Sequence, residues 1–190
     1  MSRILGIVGS PRRGGNTDIL VTEILKSAEQ AGAESETIYL GDLTINECDG
    51  CHACWTGRDC TMFDDMNPLH HKIIESDLLV LGTPVYWYGP TGLMKCFIDR
   101  LVYFNCPENR TKIKGKKAVL AIPLEEEDSN VASLTVSLFE KILEYLEMSL
   151  AGTVIVPGVS AKGEVKNKSK ALEKCHELGL RDLKFPALDA

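Results

Sequence analysis

The sequence predicts an α/β fold in which a doubly wound, five-stranded parallel sheet carries helices on both faces. Five short apolar segments alternate along the chain with longer segments of helical periodicity. Several of the apolar runs are continuous and end at Gly or Pro, as expected for parallel strands that are buried on both faces. Because no internal repeat or low-complexity linker interrupts the alternation, residues 1–190 are predicted to form a single domain.

The centre of each predicted strand is either continuously apolar or rich in residues that favour β-structure. They span residues 4–8, 34–40, 78–84, 118–123 and 150–156. The predicted helices share apolar residues at intervals of three or four. The first is capped by Asn16-Thr17-Asp18 and ends at Gly32, the second follows Asp64-Asp65 towards Glu75, and the third begins near Pro90 and carries Phe97 and Leu101. The fourth carries Val131, Leu134, Leu138, Ile142 and Leu146, and the last carries Ala171, Cys175 and Leu178. Residues 103–116 are polar and are predicted to be a loop.

Composition excludes some classes of partner. The chain is 44% hydrophobic and 25% charged, with a formal net charge of −6 and no basic tract. Nucleic acid is therefore a poor candidate partner. No apolar stretch approaches the length of a membrane span, and the first residues form too short an apolar run for a signal peptide. We expect a cytoplasmic protein, in a reducing compartment where thiolates are available to a metal.

Four of the seven cysteines fall within thirteen residues, in the loop predicted over 46–64. They have the spacing C-x2-C-x2-C-x5-C and are Cys48, Cys51, Cys54 and Cys60. Soft thiolates crowded into one loop favour an iron–sulfur cluster. Zinc is the main alternative, although structural zinc sites usually set two cysteine pairs well apart. Unligated thiols are a further alternative, whereas the odd cysteine count disfavours a disulfide framework. His52, between two of the cysteines, is read as a solvated loop residue.

Two loops at the carboxyl ends of predicted strands have the chemistry of a flavin nucleotide site. In the first, Gly9 to Thr17, hydroxyl, amide and guanidinium groups precede a helix N-terminus and suit a phosphate monoester. These groups belong to Ser10, Arg12, Asn16 and Thr17. The second contains three consecutive aromatics that can pack against a planar ring. These aromatics are Tyr86, Trp87 and Tyr88. A phosphate loop beside a planar-ring loop at the switch point of an α/β sheet suggests FMN.

A third loop at the same edge of the predicted sheet is acidic and contains Glu125 to Asp128. We interpret it as a solvated helix-terminal turn, although its position would allow it to border the flavin.

The motifs together resemble the iron–sulfur flavoprotein family, which sits within the flavodoxin-like NAD(P)H-dependent FMN reductases. The resemblance is carried by Gly9 to Thr17, the four cysteines, Pro84-Val85-Tyr86 and the segment Lys95-Cys96-Phe97-Ile98-Asp99-Arg100. It implies a bound FMN whose phosphate is surrounded by Ser10, Arg12, Asn16 and Thr17. It also implies that the isoalloxazine lies against Pro84, Val85, Tyr86 and Trp87, and that the four cysteines hold a 4Fe–4S cluster. It also implies a homo-dimer or homo-tetramer. Cys96, Cys106 and Cys175 match no ligand position and are predicted to be buried or incidental thiols.

The favoured functional hypothesis is an FMN-dependent electron-transfer oxidoreductase that passes electrons between the cluster and FMN, without a catalytic side chain. Its redox partner would be ferredoxin or NAD(P)H, the latter as a substrate. Two alternatives stay open. One is an NAD(P)H-dependent FMN or quinone reductase without a cluster, and the other is a non-enzymatic flavodoxin-like carrier or redox sensor.

Overall fold

The computed structural model describes residues 2–181, and within them five parallel strands form one sheet in the order β2-β1-β3-β4-β5. The strands are β1 (Arg3–Val8), β2 (Glu34–Tyr39), β3 (Leu78–Gly82), β4 (Lys117–Pro123) and β5 (Ser149–Val156). The chain leaves β1 in one direction to reach β2 and in the other to reach β3, so the switch point lies between β1 and β3. This is the flavodoxin-like order, and it confirms the predicted fold class.

Six α-helices connect or follow the strands in the described part of the chain. They are α1 (Asn16–Gln30), α2 (Met66–Glu75), α3 (Gly92–Arg100), α4 (Pro107–Arg110), α5 (Ser133–Tyr145) and α6 (Ser169–Arg181). Between residues 2 and 181, none of the helices combines the length and apolar content that a bilayer crossing requires.

The sheet has an apolar core on each face because successive side chains of a strand point to opposite sides. In β1, Ile4 and Val8 pack in the core that includes residues of α1 and α6. Leu5 and Ile7 point the other way, into the core that includes residues of α2, α3 and α5. Burial on both faces explains why β1, β3 and β4 are continuously apolar in sequence.

The segment 103–116, predicted to be a loop, is more ordered than expected. A 3-10 helix spans Leu101–Asn105, and α4 follows with Pro107 at its start. Asn109 and Ile113 are buried here, and the Asn109 side chain donates a hydrogen bond to the carbonyl of Tyr103. Proline at the first helical position and these buried contacts stabilise short helical turns that apolar periodicity does not reveal.

The existence of α5 is predicted correctly, but its apolar residues do not all face the core. Leu134, at the start of the predicted apolar stripe, is 64% exposed. The helix buries Thr135, Phe139 and Leu143 instead. The buried stripe is therefore displaced by about one residue from the one the sequence suggests.

Candidate active site

A cleft lies at the carboxyl edge of the sheet, beside the switch point. Segments that follow β1, β3, β4 and β5 all contribute to its walls. The lining residues are Ser10, Arg12, Gly15, Asn16, Thr17, Pro84, Val85, Tyr86, Pro123, Leu124, Glu125, Val159, Ser160 and Lys162. All of the predicted cofactor-binding residues except Trp87 are among them. This is where an open α/β sheet binds its ligand.

The first turn of α1 lines this cleft, and the helix packs very closely on the end of β3. A Cβ atom at Gly82 would lie 2.4 Å from Val21 Cγ2 and 2.9 Å from Thr17 Cγ2, so only glycine allows this approach. The amides of a helix's first turn have no partner within the helix and carry the positive end of its dipole. The start of α1 is therefore suited to an anion such as a phosphate.

The loop before α1 is held in shape by its own polar groups. The Ser10 hydroxyl accepts the amide hydrogen of Arg12 at 3.2 Å, and the carbonyl of Arg12 accepts that of Gly15 at 3.0 Å. The buried Asp18 carboxylate accepts the amide hydrogen of Gly14 at 2.6 Å. These bonds hold the loop in one shape, and a loop held in this way lowers the entropy cost of binding.

The side chain of Asn16 has a structural role at the cleft. Its side-chain amide donates to the carbonyls of Val159 at 3.4 Å and Ala161 at 3.0 Å, and its side-chain oxygen accepts the amide hydrogen of Val165 at 3.1 Å. The side chain thus joins the start of α1 to the segment after β5. A phosphate contact from Asn16 would come from its backbone amide.

Two cations flank the phosphate loop, and sequence reasoning identified one of them. Arg12 donates to the carbonyl of Ser160 at 3.3 Å. Lys162, from the segment after β5, lies beside Gly14 and lines the cleft. The neighbouring Arg13 turns away, with its guanidinium 3.2 Å from the ring centroid of Tyr39.

The sequence analysis did not identify Val159, Ser160 and Lys162 as cleft residues. They follow β5 in a Gly- and Pro-containing segment, and the rule that ligands bind at the carboxyl ends of parallel strands could have found them.

The aromatic loop makes an unusual turn at the rim of the cleft. Tyr86 and Gly89 exchange two backbone hydrogen bonds, of 2.8 and 3.0 Å, around a two-residue turn. Both central residues have positive φ, +50° for Trp87 and +63° for Tyr88. Such turns normally contain Asn or Gly, and bulky residues there are strained. Trp87 is 96% exposed, so the turn presents its indole ring to solvent outside the cleft lining.

The third loop contributes to the cleft near its start. Pro123, the buried Leu124 and the exposed Glu125 line it, while Glu126 to Asp128 are exposed. The amide of Leu124 donates to the carbonyl of Val156, and the amide of Val159 donates to the carbonyl of Leu124, both at 3.0 Å. The acidic run therefore lies largely in solvent, as expected, and its first residue borders the cleft.

The four clustered cysteines line a second cavity together with side chains of α3 and the 3-10 helix after it. The lining residues include Cys48, Cys51, Cys54, Cys60, Arg100, Val102 and Tyr103. Left-handed conformations at Gly50, His52 and Gly57 turn the chain around this cavity. Cys54 is buried, Cys51 is exposed, and the other two are half-buried.

The ends of the cysteine loop are joined by reciprocal polar contacts. The Asp65 amide donates to the carbonyl of Thr44 at 3.2 Å, and the Asp65 carboxylate accepts the amide hydrogen of Thr44 at 2.7 Å. Next to this pair, the Asp64 carboxylate accepts the amide hydrogen of Asn46 at 3.0 Å. The loop over 46–64 is thus closed at its base, as a site built on one loop requires.

The thiols are close enough to affect one another electrostatically. Burial raises the pKa of Cys54, and the neighbouring charges of Cys60, Cys48 and Cys51 raise it further. Thiolates in such a group repel unless a cation compensates them, so the donor set is chemically suited to a metal centre. Within residues 2–181, however, no three His, Cys, Asp or Glu side chains converge closely enough to hold a single metal ion.

The remaining candidate residues lie elsewhere. Cys106 and Cys175 are buried, and burial raises the pKa of Cys175 to about 12. Cys96 is half-buried on α3. His52 is exposed and stacks on Trp55 with ring centroids 4.0 Å apart. None of the three thiols is among the residues that line the described cysteine cavity.

Comparison with protein families gives a match over most of the chain. Residues 2–160 match the family described as NADPH-dependent FMN reductase. A protein named iron–sulfur flavoprotein from Archaeoglobus fulgidus is 38% identical over 114 residues, which are 60% of this chain and 50% of that protein. Another protein of the same name and organism is 30% identical over 164 residues, which are 86% of this chain and 81% of that one.

Two further similarities concern nearly the whole chain. A putative NAD(P)H-dependent FMN-containing oxidoreductase from Bacillus subtilis is 29% identical over 182 residues, covering 93% of this chain and 96% of that protein. The solved structure of the Trp repressor binding protein from Bacillus subtilis has a TM-score of 0.72 at 24% identity, covering 93% of this chain and 98% of that one. The chain spans about half the length of several relatives named iron–sulfur flavoprotein.

Proposed function

Because the chain belongs to the NADPH-dependent FMN reductase family, with iron–sulfur flavoproteins among its relatives, we propose that it is an FMN-dependent oxidoreductase with FMN in the switch-point cleft. The observation that carries this proposal is the convergence of four strand-end segments on the N-terminus of α1, with Arg12 and Lys162 beside it. Positive charge and unpaired amides there suit the phosphate monoester.

The residues of the cleft divide by chemistry into two groups. Ser10, Arg12 and Thr17 would contact the phosphate, together with backbone amides of α1 and the amine of Lys162. Pro84, Val85 and Tyr86 would pack against the isoalloxazine ring, with Trp87 available at the rim. The buried Thr83 and Thr91 hold this second loop in place, since the Thr83 hydroxyl accepts the amide hydrogen of Thr91 at 3.1 Å. No side chain is needed as an acid, base or nucleophile when the cofactor carries the chemistry.

We further propose that Cys48, Cys51, Cys54 and Cys60 hold a 4Fe–4S cluster. The all-thiolate donor set around one cavity supports a metal centre, and the crowding of all four cysteines into one short loop supports a cluster over zinc. When bound, such a cluster supplies single-electron transfer, while FMN exchanges electrons singly or in pairs, so the two cofactors convert one mode into the other. The protein's own contribution is to hold the loop closed and partly exclude water from Cys54.

Partners and assembly follow from the same proposal. A ferredoxin would exchange single electrons with the cluster, and NAD(P)H would exchange a hydride with the flavin. We infer one FMN-binding domain carrying the cysteine loop, assembled as a homo-dimer or homo-tetramer. Sedimentation analysis of the purified protein measures the assembly directly, and a monomer at micromolar concentration would contradict that part.

The first experiment is the content of iron, zinc and acid-labile sulfide per FMN in protein purified without oxygen. We expect about four irons and four sulfides per flavin. Cys51→Ser removes one proposed cluster ligand, at an exposed position of the loop. It should therefore lower the iron content and slow flavin reduction by one-electron donors. Cys96→Ser is the matched control, since this half-buried thiol lies outside the cavity lining. Iron retained equally in both variants would contradict the ligand assignment.

A reductase without a cluster is the second candidate. It is favoured by the similarity along nearly the whole chain to the putative NAD(P)H-dependent FMN-containing oxidoreductase, whose name mentions no cluster. In that case Cys51→Ser would leave NADPH oxidation unchanged, and the wild type would contain zinc or no metal. Absence of turnover with any nicotinamide donor would instead favour a flavodoxin-like carrier or sensor.

A further inference from the structure

A fully buried arginine lies at the base of the cysteine cavity. Arg100 is the last residue of α3, and its side chain is 1% exposed. A buried guanidinium is costly unless every part of it is paired, and replacement of a buried ion pair by apolar residues is often neutral or stabilising. The location of this charge therefore calls for an explanation beyond core packing.

Three of its contacts close the cysteine loop. Arg100 NH1 donates to Asp64 Oδ2 at 2.5 Å and to the carbonyl of Asn46 at 3.1 Å, while NH2 donates to Asp64 Oδ1 at 3.0 Å. The pair with Asp64 is bidentate, which fixes the orientation of both side chains. Burial alone would raise the pKa of Asp64, but hydrogen bonds from Arg100, Asn46 and Met66 hold it below its ordinary value. The Arg100 guanidinium thus joins Asn46 and Asp64, at the two ends of the loop.

The fourth contact leads to a cysteine. Arg100 NH2 also donates to Cys60 Sγ at 3.4 Å. Closing the loop does not require this bond, because Asp64 and Asn46 already provide the closure. A positive donor on a ligand sulfur withdraws negative charge from it, and such outer-shell hydrogen bonds raise the potential of an iron–sulfur centre.

We propose that Arg100 is a positioning residue that holds Cys60 in place as a cluster ligand and raises the reduction potential of the cluster. This inference rests on the proposed cluster and adds a role for one residue of this chain. The guanidinium favours the more negative, reduced state, while Asp64 partly neutralises it. The two members of one ion pair should therefore shift the potential in opposite directions.

The test measures iron, sulfide and the cluster's midpoint potential, by anaerobic titration followed with electron paramagnetic resonance, in the FMN-loaded protein. The variants are Arg100→Met, Arg100→Lys and Asp64→Asn. Arg58→Met is the matched control, because Arg58 is an exposed cation of the same loop whose Nε donates to Thr56. Arg100→Lys retains the positive charge but lacks the planar guanidinium that donates two parallel hydrogen bonds. It provides the measurement if Arg100→Met fails to fold.

We expect Arg100→Met to disfavour reduction at least tenfold, which for one electron is about 59 mV, and Arg100→Lys to do so less. Asp64→Asn should favour reduction, and Arg58→Met should change it less than twofold. Unchanged potentials in both Arg100 variants, or shifts of the same sign in Arg100→Met and Asp64→Asn, would overturn the inference while the cluster itself stands. Wild-type protein without iron would instead refute the proposed cluster, and this inference with it.

Discussion

The side-chain amide of Asn16 donates a hydrogen bond to the carbonyl of Ala161 at 3.0 Å, across 145 residues of sequence. This bond attaches the segment after β5, with its cleft residues Ser160 and Lys162, to the first residue of α1. The shape of the proposed phosphate site therefore depends on a contact between two distant parts of the chain.

Replacement of Asn16 by Asp tests this attachment. The variant loses the amide donor and places a carboxylate oxygen beside the carbonyls of Val159 and Ala161, while the acceptor for Val165 remains. We expect a loss of about 2 kcal/mol in unfolding free energy and at least tenfold weaker FMN binding, measured by flavin fluorescence titration. Asn130→Asp, at an exposed position after β4, is the control for the added charge. Equal effects in the two variants would mean that the attachment is unimportant.

Lys162 should discriminate between phosphorylated and unphosphorylated flavin. Its amine lies beside Gly14 in the phosphate loop, so Lys162→Met should weaken FMN binding about tenfold, or about 1.4 kcal/mol. Riboflavin lacks the phosphate, and its affinity should change less than twofold. Lys166→Met, an exposed lysine of the same segment outside the cleft lining, serves as the control. A parallel loss of FMN and riboflavin affinity would assign Lys162 to another part of the ligand.

Trp87 and Tyr86 should differ in their effects on flavin binding. Tyr86 lines the cleft, whereas Trp87 is 96% exposed at a strained position of the turn. Tyr86→Ala should therefore weaken FMN binding several-fold. Trp87→Asn should leave it within twofold and should raise the unfolding free energy by about 1 kcal/mol, because Asn tolerates positive φ. Differential scanning calorimetry and fluorescence titration measure both quantities. A large loss of FMN affinity in Trp87→Asn would place the indole on the bound flavin.

The fold could be predicted because its signals are local. Continuous apolar runs such as residues 78–82 identify strands buried on both faces, and the carboxyl ends of such strands locate the cleft. The cysteines were recognisable from their spacing alone. The orientation of α5 was harder, because its sequence carries apolar residues on more than one face and tertiary packing selects Phe139 and Leu143 for burial.

The parts of the site that sequence reasoning missed depend on contacts between distant residues. Lys162 lies near Gly14 only because β5 and α1 meet at one edge of the sheet. The tasks of Asn16 and Arg100 are set by partners far along the chain. The turn at Trp87 and Tyr88 lacks the Asn-Gly pattern that normally indicates positive φ. Its conformation was therefore not predictable from its residues.

His70 should make the stability of the protein depend on pH. The ring is 2% exposed, stacks on Tyr103 with centroids 4.1 Å apart, and its Nε2 lies 3.2 Å from the carbonyl of Arg100. Burial lowers the pKa of His70 to about 4. The unfolded chain takes up the proton near pH 6.5 and the folded one near pH 4, so stability is lost as the pH falls through this range.

Between pH 7.5 and pH 5.5 the loss should be about 1 kcal/mol, which lowers Tm by about 3 °C. His70→Gln should be less stable at pH 7.5, because it lacks the ring stack, but its Tm should fall less over this pH interval. His71→Gln, at the exposed neighbouring position, should keep the wild-type dependence. Thermal unfolding of the three proteins at both pH values provides the measurement. If His70→Gln loses as much stability as the wild type on acidification, the pH dependence originates in other groups. Protonation of His70 would then not account for the loss of folding free energy.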